Sequence, residues 1–152
     1  MKKISKTNVC RILDKEKIKY KHIVREEQES FEDVNEDSNI VFKTLVLVGS
    51  DKNHYVCVIP LNEHLDLKKA AKNFNIKSIQ MLMQKDLKNL TGYVHGGCSP
   101  IGMKTKFKTL IDQRAKEFEE IIVSGGKVLN FVKVNPLELS KICDAPFSDL
   151  VV

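Results

Sequence analysis

Two β-branched, almost wholly apolar stretches constrain the fold most: Val41-Phe42-Lys43-Thr44-Leu45-Val46-Leu47-Val48 and Tyr55-Val56-Cys57-Val58-Ile59. Gly49-Ser50-Asp51-Lys52-Asn53 lies between them, a run of turn-forming residues that predicts a hairpin.

Several of those elements are also legible. A helix is expected over 6–16, capped by Ser5 or Thr7, with Val9, Ile12 and Leu13 on one face. A short strand is expected over 18–24. Residues 25–39 read as a loop with one helical turn around Phe31. Asp66 should cap a helix whose apolar residues Leu67, Ala70, Ala71 and Phe74 are spaced as one buried stripe, with Lys68, Lys69 and Lys72 off it. A strand at 78–82 and a helical turn at 86–90 precede a glycine-rich loop at 92–102. Strands at 120–123 and 128–134 flank the turn Ser124-Gly125-Gly126, and Asn135 and Pro136 open a last helix. Mixed elements with short loops predict an α/β or α+β class around one curved mixed sheet.

The chain has 152 residues, suited to one domain spanning 1–152. Its apolar fraction of 42% is enough to form a core without disulfides or metals. The start, Met1-Lys2-Lys3-Ile4-Ser5-Lys6, is basic and lacks the apolar stretch of a signal peptide, and no apolar run is long enough to span a bilayer. The expected location is the cytoplasm, with no membrane association. Cys10, Cys57, Cys98 and Cys143 are scattered without a C-x-x-C pair, as expected of reduced, mostly buried thiols.

Residues 26–39 hold seven carboxylates and no Lys or Arg, which leaves 25 basic against 13 acidic residues on the rest of the chain. That balance suits a polyanionic partner, although a lysine-rich surface also serves solubility alone.

Three features carry possible chemistry. Lys43 sits inside an apolar strand, where an ammonium must be paired, snorkelled or turned into a cleft. The segment Thr91-Gly92-Tyr93-Val94-His95-Gly96-Gly97-Cys98-Ser99-Pro100-Ile101-Gly102 has four glycines in eleven residues, which allows close approach of a ligand to main-chain N–H groups. Such groups can hold a carbonyl oxygen as negative charge develops on it. Ser124 ends a strand and could donate to a substrate oxygen, or simply make a turn.

Other chemistries fit less well. Gly97 and Gly102 have the spacing of a phosphate-binding loop, but Met103 stands where that loop needs lysine. His-x-x-Cys occurs at His54/Cys57 and His95/Cys98. The first pair would point to opposite faces of a strand, and the second lacks two further ligands, so no metal is expected. Cys98 as a nucleophile would need a base and a lowered pKa, with His95 as the conceivable base.

Taken in order, Val41 to Val46, Leu65 to Lys72, Thr91 to Gly102 with its Gly-Gly-x-Ser-Pro-x-Gly ending, Leu110-Ile111-Asp112 and Val123 to Lys127 resemble the YbaK/EbsC family of aminoacyl-tRNA editing domains. The branch they resemble most is the Cys-tRNA(Pro) and Cys-tRNA(Cys) deacylases. The resemblance implies a mixed, barrel-like sheet surrounded by helices. It also implies an ester hydrolase that acts in trans on mischarged tRNA and needs no cofactor.

Within that resemblance Lys43 matches the essential lysine, Gly96 a glycine whose backbone meets the aminoacyl end, Ser124 a functional serine and Phe31 a pocket aromatic. The implied chemistry is attack by the substrate's own thiol, with the Gly96 and Gly97 N–H groups serving the oxyanion and Ser99 lining the substrate site. Lys104, Lys106, Lys108 and Arg114 would meet tRNA phosphates, and prolyl-tRNA synthetase is the protein partner the family suggests. The sequence departs from the family in its short acidic stretch between Phe31 and Lys43. It departs again at Val24 or Arg25, where the family has an aromatic, and at Val128-Leu129. The alternatives are the same fold acting on another amino acid such as alanine, a non-catalytic tRNA or synthetase-binding module, or a zinc protein.

Overall fold

The structure is a computed structural model that describes residues 5–152; the basic start, Met1–Ile4, lies outside the described residues. The apolar pair forms a long antiparallel hairpin of β2 (Phe42–Gly49) and β3 (His54–Pro60). Its other elements are α1 (Asn8–Lys15), β1 (Tyr20–Val24), α2 (Leu67–Asn73), β4 (Ile79–Met81) and α3 (Leu87–Thr91). After the glycine-rich loop come β5 (Lys108–Asp112), β6 (Ile121–Ser124), β7 (Asn130–Val134), α4 (Pro136–Cys143) and β8 (Phe147–Ser148).

The strands make two sheets, one of order β4-β2-β3-β5-β8 and one of order β1-β7-β6. They meet through a single parallel bridge, Val41 to Ile122. The result is the curved mixed arrangement the sequence leads one to expect, with helices around it, although the sheets do not close into a full barrel.

Alternation along β3 explains its unbroken apolarity. Tyr55, Cys57 and Ile59 face one core with Leu47, Leu110 and the α2 residues Ala70, Ala71 and Phe74. Val58 faces a second core, shared with Phe42, Ile111, the β6–β7 residues Val123 and Val132, and Val9, Cys10 and Leu13 of α1. Thr7 caps α1 by accepting from the Cys10 N–H at 3.3 Å, and Asn135 caps α4 by accepting from Leu137 and Glu138.

One expectation about α2 needs correcting. Leu67 is not in the buried stripe but 40% exposed, because it is the first helical residue and only the following turns reach the sheet. Lys69 is tied to the C-terminal segment, donating to the Val151 carbonyl at 2.7 Å and pairing with Asp149 at 3.0 Å. Among the described residues, no helix is long and apolar enough to cross a membrane.

The acidic stretch is a loop with short 3₁₀ turns at Glu32–Val34 and Ser38–Ile40. One of its carboxylates anchors it. Glu36 is buried and accepts from Lys21 of β1 at 2.7 Å and Lys133 of β7 at 2.8 Å, two lysines paired across the ribbon. Burial alone would raise the Glu36 pKa; the two ammonium groups outweigh it and hold the carboxyl below its ordinary 4.5. Its contribution is therefore complete above pH 4.5 and is lost as pH falls through the lower folded value. Glu36→Gln should cost about 1.5–3 kcal/mol in urea unfolding at pH 7, and the gap from wild type should shrink below pH 4. A gap independent of pH would show that the charge is not what holds the loop.

Candidate active site

The edge of β2 is covered unevenly. β4 pairs only with Leu47–Gly49, and at the other end only Val41 meets β6. Beside the uncovered stretch lies a cavity of about 510 Å³. Its walls come from β2 (Phe42 to Val46), from the glycine loop (His95, Gly96, Cys98), from the end of β6 (Ser124), from β7 (Phe131) and from the acidic loop (Phe31). Thus four positions far apart in sequence, Phe31, Lys43, Gly96 and Ser124, line one space.

The glycine loop is held at both ends. Thr91 Oγ1 donates to the Leu87 carbonyl at 2.8 Å and accepts from the Tyr93 N–H at 3.0 Å. The Tyr93 hydroxyl donates across the loop to the Ile101 carbonyl at 2.5 Å. Gly96 has φ +83°, a left-handed conformation that side chains disfavour. Its N–H has no acceptor among the described residues, and neither has that of Cys98.

Gly97 and Ser99 do not fill the roles expected of them. The Gly97 N–H is already donated to the Val94 carbonyl at 3.0 Å, and a Cβ there would meet the Val128 N at 3.0 Å. Gly97 is glycine because the loop packs against the 127–128 backbone. Ser99 is fully buried away from the cavity, and its hydroxyl accepts from the Ile101 N–H at 3.2 Å. Among the described residues the loop amides on the cavity wall, those of His95, Gly96 and Cys98, have no acceptor.

Ser124 Oγ accepts from the Gly126 N–H at 3.2 Å, which leaves its own hydrogen for a ligand. Lys43 has neither an ion-pair nor a hydrogen-bond partner among the described residues. Among the described residues no carboxylate lines the cavity, so the two cations there, Lys43 and Arg25, have no counter-charge on its wall. The Cys98 thiol is pushed up to about 12 by burial and stays protonated at neutral pH, which removes it as a nucleophile. Among the described residues there is no cluster of three His, Cys, Asp or Glu; Cys57 is fully buried against α2, and the His54 ring lies 5.6 Å from Phe107.

These features coincide with a match to known proteins. Residues 21–142 match the aminoacyl-tRNA editing domain. The chain belongs to the aminoacyl-tRNA editing domain family. It is 40% identical over 95% of its length, and 93% of the relative's, to an Enterococcus faecalis protein provisionally named Cys-tRNA(Pro)/Cys-tRNA(Cys) deacylase EbsC. A solved structure provisionally described as a trans-editing enzyme for prolyl tRNA synthetase superposes with a TM-score of 0.81 at 23% identity, covering 97% of this chain and 99% of that one. Hypothetical protein APE2540 superposes at 0.84 with 16% identity, covering 93% and 97%. At such identities the two structures show the fold alone.

Within this editing domain, the basic patch proves mixed. Lys104, Lys106 and Lys108 are exposed, but none lines the cavity; Lys106 borders a separate cleft with Ile101 and Phe107. Arg114 pairs with Glu63 at 2.9 Å, so its charge is already engaged. Sequence reasoning passed over Arg25, Thr44 and Phe131 as site residues. Phe131 stacks edge-on to Phe31 at 4.9 Å, and the Thr44 hydroxyl is a buried wall atom without a partner. Asp112, within the Leu110-Ile111-Asp112 motif, is structural: it accepts from the Leu150 and Arg114 N–H groups at 3.0 and 3.1 Å.

Proposed function

We propose that this editing domain hydrolyses cysteine from Cys-tRNA(Pro), and from Cys-tRNA(Cys), acting in trans in the cytoplasm, with the substrate's own thiol as nucleophile. The observation that carries the reading is Lys43: a free ammonium in a carboxylate-free cavity beside loop amides that have no acceptor. The cavity falls within the range of about 300–1,000 Å³ usual for small-molecule sites. It has room for a terminal nucleoside and a small acyl group, not for a stretch of folded RNA.

The wall offers no activated nucleophile. Cys98 is protonated, and no hydrogen bond joins Ser124 to a base. The chemistry therefore falls to the substrate. Its sulfur attacks the ester carbonyl, an S–C bond forms as the C–O bond to the ribose breaks, and the thiol proton passes to the departing ribose oxygen. Water then opens the resulting thiolactone to free cysteine. A tethered nucleophile is worth up to about 7–11 kcal/mol, less here because the ring formed is strained.

The protein bends the substrate into this pose. Gly96 and Cys98 N–H groups meet the developing oxyanion, Lys43 stabilises the same charge or the ribose oxygen, and Ser124 donates to the bound ester. Lys104, Lys106 and Lys108 serve the tRNA body, and prolyl-tRNA synthetase is the source of the mischarged substrate. The test is release of labelled cysteine from Cys-tRNA(Pro) by the purified protein. Multiple turnover is expected; stoichiometric binding without release would make the chain a binding module instead.

A further inference from the structure

The cavity has a second cation, which the function above leaves unused. Arg25 follows directly after β1, and its N–H is fixed to the Leu129 carbonyl at 2.9 Å. Its guanidinium lies 5.0 Å from the centre of the Phe31 ring and 5.8 Å from that of Phe131. Nη1 donates to the Glu29 carbonyl. These contacts fix the plane of the group. The opposite edge, Nε and Nη2, has no acceptor among the described residues, and Nε is buried.

An unpaired guanidinium edge is an uncommon thing to hold in place. Burying a donor without an acceptor is costly, and the guanidinium brings to the cavity a fixed positive charge that suits an oxygen of a phosphate or carboxylate. No residue lining the cavity carries such a group. The ligand must therefore bring the anion. In an aminoacyl-tRNA the carboxylate is esterified, so the anion next to the reacting end is the phosphodiester on the 5′ side of the terminal nucleoside.

We infer that Arg25 binds this last phosphodiester and so distinguishes a charged tRNA from a free aminoacyl nucleoside. The inference rests on the proposed deacylase function and adds to it a residue for RNA recognition inside the cavity. The stack on Phe31 and Phe131 makes the acidic loop part of the RNA site, although the loop itself is negative: it presents one oriented guanidinium inward while its carboxylates lie elsewhere.

The experiment compares wild type, Arg25→Ala and Arg25→Lys on two substrates, Cys-tRNA and 2′(3′)-O-cysteinyl-adenosine, which lacks the phosphodiester. Arg25→Ala should reduce the preference for Cys-tRNA over cysteinyl-adenosine by about 10- to 100-fold, mainly through KM, as expected for loss of a charge-assisted contact. The log–log salt slope for Cys-tRNA should fall by about one. Arg25→Lys keeps the charge without the fork and should lie between; it carries the test if the alanine variant does not fold. Proportional loss on both substrates, or none on Cys-tRNA, would mean that Arg25 only braces the loop. Binding of the trinucleotide CCA against adenosine needs no turnover: if wild type releases no cysteine, the deacylase reading fails, and weaker CCA binding by Arg25→Ala still supports the phosphate contact.

Discussion

Lys43→Ala is expected to lower kcat/KM for Cys-tRNA(Pro) by about 10²–10³, the size of effect found when one donor to a developing oxyanion is removed. The loss should fall mostly on kcat, because the charge it meets grows only as the ester breaks. Stability should hardly change. The Lys43 ammonium has no partner among the described residues, so truncating it orphans nothing there, and its neighbours Phe42 and Val46 keep their packing. Initial rates of cysteine release, with thermal melting as the control for folding, check both halves. A folded variant that works at the wild-type rate would remove Lys43 from the mechanism. Lys43→Arg is not expected to rescue, since the broader guanidinium cannot occupy the position of a compact ammonium.

Exchanging one atom of the substrate should matter even more. With the same tRNA, Ser-tRNA should be deacylated at least about 10³-fold more slowly than Cys-tRNA, because a hydroxyl is a far poorer nucleophile than a thiol at neutral pH. Ala-tRNA, with no side-chain nucleophile at all, should resist at least as strongly. The three acyl groups are close in size, so binding differences stay small. Similar rates for all three would show that water attacks, and would move the chain to the alternative in which the same fold edits alanine.

The parts of the fold that could be read from sequence are those whose signal is local. The β2–β3 hairpin shows as two apolar runs around a turn, and α4 as an Asn-Pro start with Asn135 accepting from two N–H groups. β5 left no comparable trace. Its only apolar residues are Leu110 and Ile111, and its strand character comes from parallel pairing with β3, reached through α2, β4, α3 and the glycine loop. In the site, Lys43, Gly96, Ser124 and Phe31 were accessible through the resemblance, and one cavity joins them. Gly97 shows the limit: a glycine needed for close backbone packing and one needed for a ligand look the same in sequence. Arg114 could not be known as engaged, because Glu63 is 51 residues away. Arg25 was visible only as a departure from the family, since its meaning depends on two phenylalanines that tertiary structure brings together.

The loop pinned by Glu36 supplies one wall of the cavity without sharing a strand with Lys43 or the glycine turn. On the function proposed above, substrate choice and bond breaking would then sit on separate pieces of chain. Rewriting the loop between β1 and β2 would reshape that wall while the strand and the turn opposite stay untouched.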